Sequence, residues 1–242
     1  MQFTVTKETL CGLPCYHTMR DTEFSDISFC DQGYIKPTKC DVFNEDLIYL
    51  FYGRPAFRWD TPHSPIVFVF KTDARFQPVR IFPFDSGAYD NKLYGEEFCS
   101  KYKLTDYQLN ICEEEIPSFI RRMWETNVNY YDGRKPDEAV YEENDIAERY
   151  QRFVYSGEYG YADTRAFTLE LQIGNPINMK ECIQFAYVSR NMPDADRAKL
   201  RKYGIKTKPY FFKGSINQVF NGILNEERNN LIRSEANSSC IV

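Results

Sequence analysis

The stretch of residues 46–57 constrains this chain more than any other part of its sequence. Its first half, residues 47–52, is an unbroken apolar and aromatic run that is typical of a buried strand. Gly53 and Pro55 follow, and the proline disfavours the helical conformation for Arg54, which lies between them. A guanidinium held in this way suits a phosphate or a carboxylate. The alternative is an arginine that closes the strand and pairs with a carboxylate of the core.

The composition indicates a globular chain with a substantial core. Of its 242 residues, 43% are hydrophobic and 16% are aromatic, and we find no linker, repeat or low-complexity tract. We therefore expect one domain over residues 1–235 with a helical insertion at 104–157, followed by a flexible tail at 236–242. The polar composition from Asn229 onward predicts that the last helix frays there.

Charge and hydropathy limit the classes of partner. The formal net charge is −5, which argues against a broad nucleic-acid surface but leaves room for a local basic cleft. No apolar run approaches the length of a membrane span, and the N-terminus lacks the apolar core of a signal peptide. These features predict a cytoplasmic protein with no membrane partner.

Short strands and helices alternate along the chain without a regular βαβ rhythm. The pattern predicts strands at residues 14–18, 65–70, 79–82, 166–173, 183–188 and 209–212, in addition to the organising strand, with 183–188 beside 166–173. Residues 82–104 are expected to be irregular. We expect helices at residues 21–31, from Pro117, from Asn144 or Asp145 to Gly157, from Asp194, and from a capping box of Ser215 and Gln218. The predicted fold class is α+β with a mixed or mainly antiparallel sheet.

Three short segments are candidates for chemistry. The first is Tyr16-His17-Thr18 on a strand, and the second is the turn that holds Arg54. In the third, residues 169–173, strand alternation directs Glu170 and Gln172 to one face. The plainer alternatives are a core or edge histidine, a strand-closing arginine, and a half-solvated strand with an ordinary polar face.

Taken together and in this order, the segments resemble the ADP-ribosyltransferase fold, and most closely the DarT-type toxins that modify single-stranded DNA. The opening strand of that family, which reads roughly Tyr-His-(Ile)-Thr, is similar to residues 16–18, which lead to Gly33. Its Tyr-Phe strand with a following arginine is similar to residues 49–55, with Arg54 as the arginine. Its glutamate strand is similar to residues 169–173, which are followed by Pro176 and the strand 183–188.

The resemblance implies a split mixed or antiparallel sheet, NAD as co-substrate and a role for each matched residue. The catalytic residues would be Glu170, beside the developing positive charge, and Arg54, which would also hold the pyrophosphate. The remaining implied contacts are a ribose hydroxyl at His17 backed by Thr18, nicotinamide stacking at Tyr52 or Tyr49, and an acceptor contact at Gln172. Such an enzyme would be a toxin or a phage-defence effector with an antitoxin or immunity partner.

Several alternatives stay open. The acceptor could be nucleic acid or protein: the resemblance favours DNA, and the net charge disfavours it. His17 is followed directly by Thr18, without the intervening residue of the family's motif. Glu170 precedes Gln172, which reverses the Gln/Glu-x-Glu order of other transferases in the wider fold. These departures allow a catalytically silent module that binds a nucleotide or a protein. A third possibility is a zinc-containing domain that uses Cys11, Cys15, His17 and either Cys30 or Cys40.

Overall fold

A computed structural model of the protein describes residues 12–26, 30–56, 64–111, 115–157, 164–211 and 216–238. The chain divides into two compact units, each built from segments that are distant in sequence. Unit 1 comprises Met1–Gly12, Arg80–Leu171 and Glu227–Val242, and unit 2 comprises Leu13–Val79 and Gln172–Glu226. The single domain expected over residues 1–235 stays a prediction.

The described strands, in chain order, are β1 Cys15–Arg20, β2 Cys30–Asp31, β3 Tyr34–Ile35, β4 Thr38–Cys40, β5 Glu45–Tyr52, β6 Pro65–Phe70, β7 Pro78–Phe82, β8 Glu170–Ile173, β9 Ile177–Asn178, β10 Ile183–Ser189 and β11 Lys206–Tyr210. The described α-helices are α1 Asp21–Ser25, α2 Ser86–Asp90, α3 Glu96–Lys101, α4 Glu115–Trp124, α5 Asn127–Asp132, α6 Asp145–Ser156, α7 Met179–Cys182, α8 Asp194–Lys202 and α9 Ile216–Ser238. The boundary between the units passes through β7, β8 and α9.

Unit 2 contains a mostly antiparallel sheet in the strand order β11-β10-β6-β1-β5, with β4 paired to β5. β1 pairs antiparallel with both β5 and β6, and β10 pairs antiparallel with β6 and parallel with β11. A small antiparallel sheet is formed by β2, β3 and β9. Together with the flanking helices, this arrangement confirms the α+β class.

Both faces of the sheet in unit 2 are covered, which explains why every residue of β6 is buried. On one face, Val219 and Ile223 of α9 belong to a core cluster with Tyr16, Val67 and Tyr187 of the sheet. On the other face, the ring of Phe24 from α1 lies 6.1 Å from that of Phe68, measured between ring centroids. Burial of these apolar side chains is the main contribution to the stability of this packing.

Unit 1 is largely helical where it is described. Residues 104–157 carry a 3₁₀ turn at Leu104–Tyr107 and then α4, α5 and α6. The predicted cap of α6 is confirmed, because the Asn144 side chain accepts hydrogen bonds from the amides of Ile146 and Ala147. Gly157 ends the helix in the left-handed conformation, with φ +71°. Within the described residues no helix is both long and apolar enough to cross a membrane.

Four local expectations are wrong. The helix expected over 21–31 ends at Ser25, and Cys30–Asp31 is instead a short strand; residues 27–29 lie outside the described chain. Residues 82–104 are not irregular, since they contain α2 and α3. The strand expected over 166–173 begins only at Glu170, after a 3₁₀ turn at Thr164–Phe167. β10 is not its neighbour, because β6 and β11 occupy the two edges of β10.

The C-terminal helix does not fray at Asn229. It continues to Ser238, and Leu231 in this part is buried. In unit 1, Arg228 donates two hydrogen bonds of 2.6 Å to the carboxylate of Asp132. The expected capping residue Ser215 lies outside the described chain, and so does residue 212 of the last predicted strand.

Ile223→Ala tests the contact of α9 with the sheet of unit 2. Ile223 is 3% exposed, so its truncation leaves a cavity and should lower the free energy of unfolding by about 2–5 kcal/mol. The matched control is Ile232→Ala on the same helix, where the side chain is 38% exposed and the expected loss is under about 1 kcal/mol. Urea titration measures both variants, and equal losses would contradict the packing described.

Candidate functional site

His17 has the most defined chemistry among the candidates in unit 2. Its Nδ1 atom lies 2.8 Å from the main-chain oxygen of Tyr49 on the neighbouring strand. Burial lowers the pKa of His17 below its ordinary value, although the bond to Tyr49 acts in the opposite direction. The ring is therefore neutral at pH 7, and Nδ1 carries the proton because a carbonyl can only accept. This assigns Nε2 as a hydrogen-bond acceptor.

The pairing of β1 with β5 places Tyr52 on the same face of the sheet as His17. Cys15 lies directly opposite Tyr52, and side chains opposite each other share a face. His17 is two residues from Cys15 and has the same orientation. The Tyr52 hydroxyl accepts a 2.9 Å hydrogen bond from the amide of Leu13, which fixes the end of the side chain.

Thr18 and Tyr49 lie on the opposite face. Tyr16 pairs with Phe51, and Tyr16 belongs to the core cluster with α9. Alternation along each strand then directs Thr18 and Tyr49 towards that same face. The Thr18 hydroxyl is buried there without a hydrogen-bond partner. His17 therefore shares its face with Tyr52 and not with these two residues.

Arg54 lies in the turn that follows β5. Gly53 has φ +78°, a conformation that glycine adopts easily, and its amide donates a 2.9 Å hydrogen bond to the carbonyl of Pro14. Arg54 is only 4% exposed. A guanidinium taken out of water needs anionic or carbonyl partners, so this position suits either a bound phosphate or a core carboxylate.

β8 is buried along its whole length, so the plainer alternative of a half-solvated strand with an ordinary polar face is wrong. All four of its residues are buried, and Gln172 is fully so. Glu170 and Gln172 share one face by strand alternation. The two polar side chains on this strand are therefore buried groups that need hydrogen-bond partners.

In unit 1, Ser86 binds both carboxylate oxygens of Glu170. Its hydroxyl donates to Oε1 at 2.7 Å, and its main-chain amide lies 3.2 Å from Oε2. Glu170 and Ser86 are each 1% exposed. The carboxylate is consequently held at a defined place within the core of this unit.

Asp85, the residue before Ser86, forms a charge pair with the buried Arg165. Asp85 caps α2 by accepting from the amide of Ala88 at 2.8 Å, and its other carboxylate oxygen lies 3.4 Å from a guanidinium nitrogen of Arg165. The amide of Asp85 also donates to the carbonyl of Arg165 at 3.1 Å. Asp85, Ser86 and Arg165 are not among the site residues predicted from the sequence. An aspartate directly before Ser86 is an N-cap signal that could have indicated α2, whereas Arg165 has no comparable local signal.

The described cysteines offer no metal site. Cys15, Cys30, Cys40 and Cys99 are buried free thiols, and Cys182 is half-buried. Burial raises the pKa of Cys15 and of Cys30 to about 12, so both are protonated at pH 7. Among the residues that the structure describes, no group of three or more His, Cys, Asp or Glu side chains could hold a metal ion. Cys11 of the zinc hypothesis lies outside this part of the chain.

Unit 1 also contains an open cleft of about 880 Å³ between α3, α6 and the segment 135–141. Its lining mixes acidic, basic and aromatic side chains. Arg152 donates to Glu148 at 2.6 Å, and its guanidinium lies 4.6 Å from the centroid of the Tyr141 ring. None of the predicted site residues lines this cleft.

No family model, curated protein or solved structure matches this chain.

The protonation of His17 predicts a pH dependence of stability. Because its folded-state pKa is lowered, the unfolded chain binds more protons as the pH falls through the ordinary histidine value of about 6.5. The free energy of unfolding should therefore decrease from pH 7.5 to pH 5.5. In His17→Asn the side-chain amide can still donate to the Tyr49 carbonyl but does not titrate. The contribution of His17 to the decrease in the free energy of unfolding should therefore disappear. Denaturant titrations at the two pH values measure this decrease, and an equal decrease in both proteins would contradict a half-buried, neutral His17.

Proposed function

We propose that the protein is an NAD-dependent ADP-ribosyltransferase that transfers ADP-ribose to a macromolecular acceptor. The observation that carries the proposal is His17, a neutral imidazole whose Nδ1 is bound to Tyr49 and whose Nε2 is an acceptor on the same face as Tyr52. The order of His17, Arg54 and Glu170 along the chain also supports it, because it follows the motifs of that enzyme class. In this proposal the mostly antiparallel sheet is a split sheet of the ADP-ribosyltransferase type.

His17 and Tyr52 would bind the nicotinamide riboside part of NAD. The Nε2 atom can accept a hydrogen bond from a ribose hydroxyl, which a protonated imidazole could not do. Tyr52, anchored by Leu13, offers a ring of restricted motion for stacking on nicotinamide. Thr18 and Tyr49 lie on the other face, so the proposal gives them no direct contact with the same group.

Arg54 would bind the pyrophosphate. Two parallel N–H donors of one guanidinium match two oxygens of a phosphate, and the low exposure of Arg54 strengthens such charge-assisted bonds. Lysine carries the same charge but lacks the planar arrangement of donors.

Glu170 would stabilise the reaction at the ribose carbon. The bond from C1′ to the nicotinamide nitrogen breaks, and nicotinamide leaves with the electron pair. Positive charge then develops on the ribose, and a fixed carboxylate binds this state more strongly than it binds NAD. An acceptor nucleophile forms the new bond to C1′ and gives its proton to the Glu170 carboxylate, with Gln172 as the proposed acceptor contact. The acceptor is DNA or protein, and the biological role is that of a toxin or phage-defence effector with an antitoxin or immunity partner.

A second candidate is a catalytically silent module that binds a nucleotide or a protein. The observation that favours it is the engagement of both Glu170 oxygens by Ser86 inside unit 1, as expected for a structural carboxylate. Such a module would be stabilised by NAD in a thermal unfolding assay and would release no nicotinamide. Stabilisation accompanied by nicotinamide release would favour the enzyme.

Glu170→Gln separates binding from catalysis. The amide is neutral, so it cannot stabilise a developing positive charge as the carboxylate does. Nicotinamide release should fall by roughly several hundredfold, while NAD still protects the protein against thermal unfolding. The control is Glu115→Gln, because Glu115 is another buried glutamate of unit 1 outside the proposed site. Retention of the full release rate in Glu170→Gln would rule out the proposed role of Glu170.

A further inference from the structure

The segment 190–211 of unit 2 differs in charge from the rest of the chain. It contains seven Lys and Arg residues but only two Asp and no Glu, a formal charge of +5 in a chain whose net charge is −5. The segment includes α8, a turn at Gly204 and β11, which pairs only with β10 among the described strands. A concentration of positive charge on an acidic chain indicates a contact surface for a partner of complementary charge.

Four exposed cations lie at or beside the turn at Gly204. Arg201 and Lys202 end α8, and Lys206 begins β11. Lys180 of α7 is close as well, because a Cβ atom at Gly204 would lie 3.9 Å from the Cγ atom of Lys180. Within the described part of the chain, these four side chains form no hydrogen bond or ion pair. We call these four residues the basic surface.

Two ordinary explanations each cover only part of the basic surface. Arg201 and Lys202 lie at the C-terminal end of α8, where cations interact favourably with the helix dipole. A lysine on an edge strand, such as Lys206, discourages pairing with other chains. Neither explains why both groups meet Lys180 at one turn, where like charges repel one another. A negatively charged partner would relieve this repulsion.

The free edge of β11 is unsuited to pairing with a strand of a partner. The carbonyl of Tyr210 accepts a 2.8 Å hydrogen bond from the amide of Arg190, so the main chain of Tyr210 faces β10. Main-chain groups alternate in direction along a strand, so those of Pro209 face outward, where proline offers no N–H. A partner would therefore bind the cationic side chains and not extend the sheet.

An exposed tyrosine lies near the basic surface. A Cβ atom at Gly33 would lie 3.2 Å from the ring of Tyr203, which directly precedes Gly204. The next residue, Tyr34, is 42% exposed. Tyrosine and arginine are both enriched where proteins contact one another.

We propose that the basic surface binds an acidic segment of a partner protein. Nucleic acid is the less suitable occupant, because the cations are confined to one turn and the rest of the chain is acidic. A long polyanion would extend beyond the cations and be repelled, whereas a short acidic segment would not. The basic surface lies in unit 2 alone, and its role does not depend on NAD cleavage.

Charge reversal tests this proposal with fluorescently labelled poly-L-glutamate as the probe, measured by anisotropy without NAD. Lys206→Glu and Arg201→Glu each replace an attraction by a repulsion and should weaken binding by about threefold to tenfold. The matched control is Lys39→Glu on β4, an exposed lysine separated from β11 by β5, β1, β6 and β10. At that distance salt screens its charge, so binding should change by less than about twofold.

Single-stranded oligo(dT) with the same number of charges distinguishes the two classes of partner. The wild-type protein should bind poly-L-glutamate more tightly than oligo(dT). Tighter binding of oligo(dT) would overturn the proposal in favour of a nucleic-acid partner. Absence of saturable binding of poly-L-glutamate, or an equal loss in Lys39→Glu and Lys206→Glu, would also overturn it. All three substituted side chains are exposed, so the variants should keep the wild-type free energy of unfolding.

Discussion

The antiparallel pairing of β1 with β5 is the constraint on which the candidate site in unit 2 depends. Since strand side chains alternate, the register of Cys15 opposite Tyr52 decides which residues share the face of His17. If this register shifted by one residue, Tyr52 would point to the other face, and one of its neighbours would share the face of His17 instead. The hydrogen bond from His17 to the Tyr49 carbonyl crosses the same pair of strands. Strand pairing therefore sets both the orientation of the imidazole and its tautomer.

Two of the predicted site residues are buried charged side chains. Arg54 in unit 2 and Glu170 in unit 1 are almost fully buried, and isolated buried charges destabilise a fold. In unit 1, Ser86 meets this requirement by binding both oxygens of Glu170. Apolar side chains at these two positions would fill the core without needing polar partners. The presence of charged side chains there is the physical reason to look for function at both residues.

The sequence predicted those parts of the fold that local patterns determine. The apolar runs of β5 and β6 and the Asn144 cap of α6 are local signals, and all three elements form as expected. The extension of α9 to Ser238 was missed, because its support includes Asp132, which lies 96 residues from Arg228. Ser86 escaped notice for the same reason, since its partner is 84 residues away. The sheet face on which Thr18 and Tyr49 lie depends on the register between β1 and β5. This register cannot be read from the sequence of either strand alone.

The most direct test of the account is ¹⁵N NMR of the His17 imidazole with and without NAD. The chain has two histidines, so the loss of one signal in His17→Asn identifies His17. The account predicts a neutral ring at pH 7 with the proton on Nδ1, and a change in the Nε2 shift when NAD is added, as that nitrogen gains a hydrogen bond. A protonated ring, a proton on Nε2, or an Nε2 shift that does not respond to saturating NAD would contradict it.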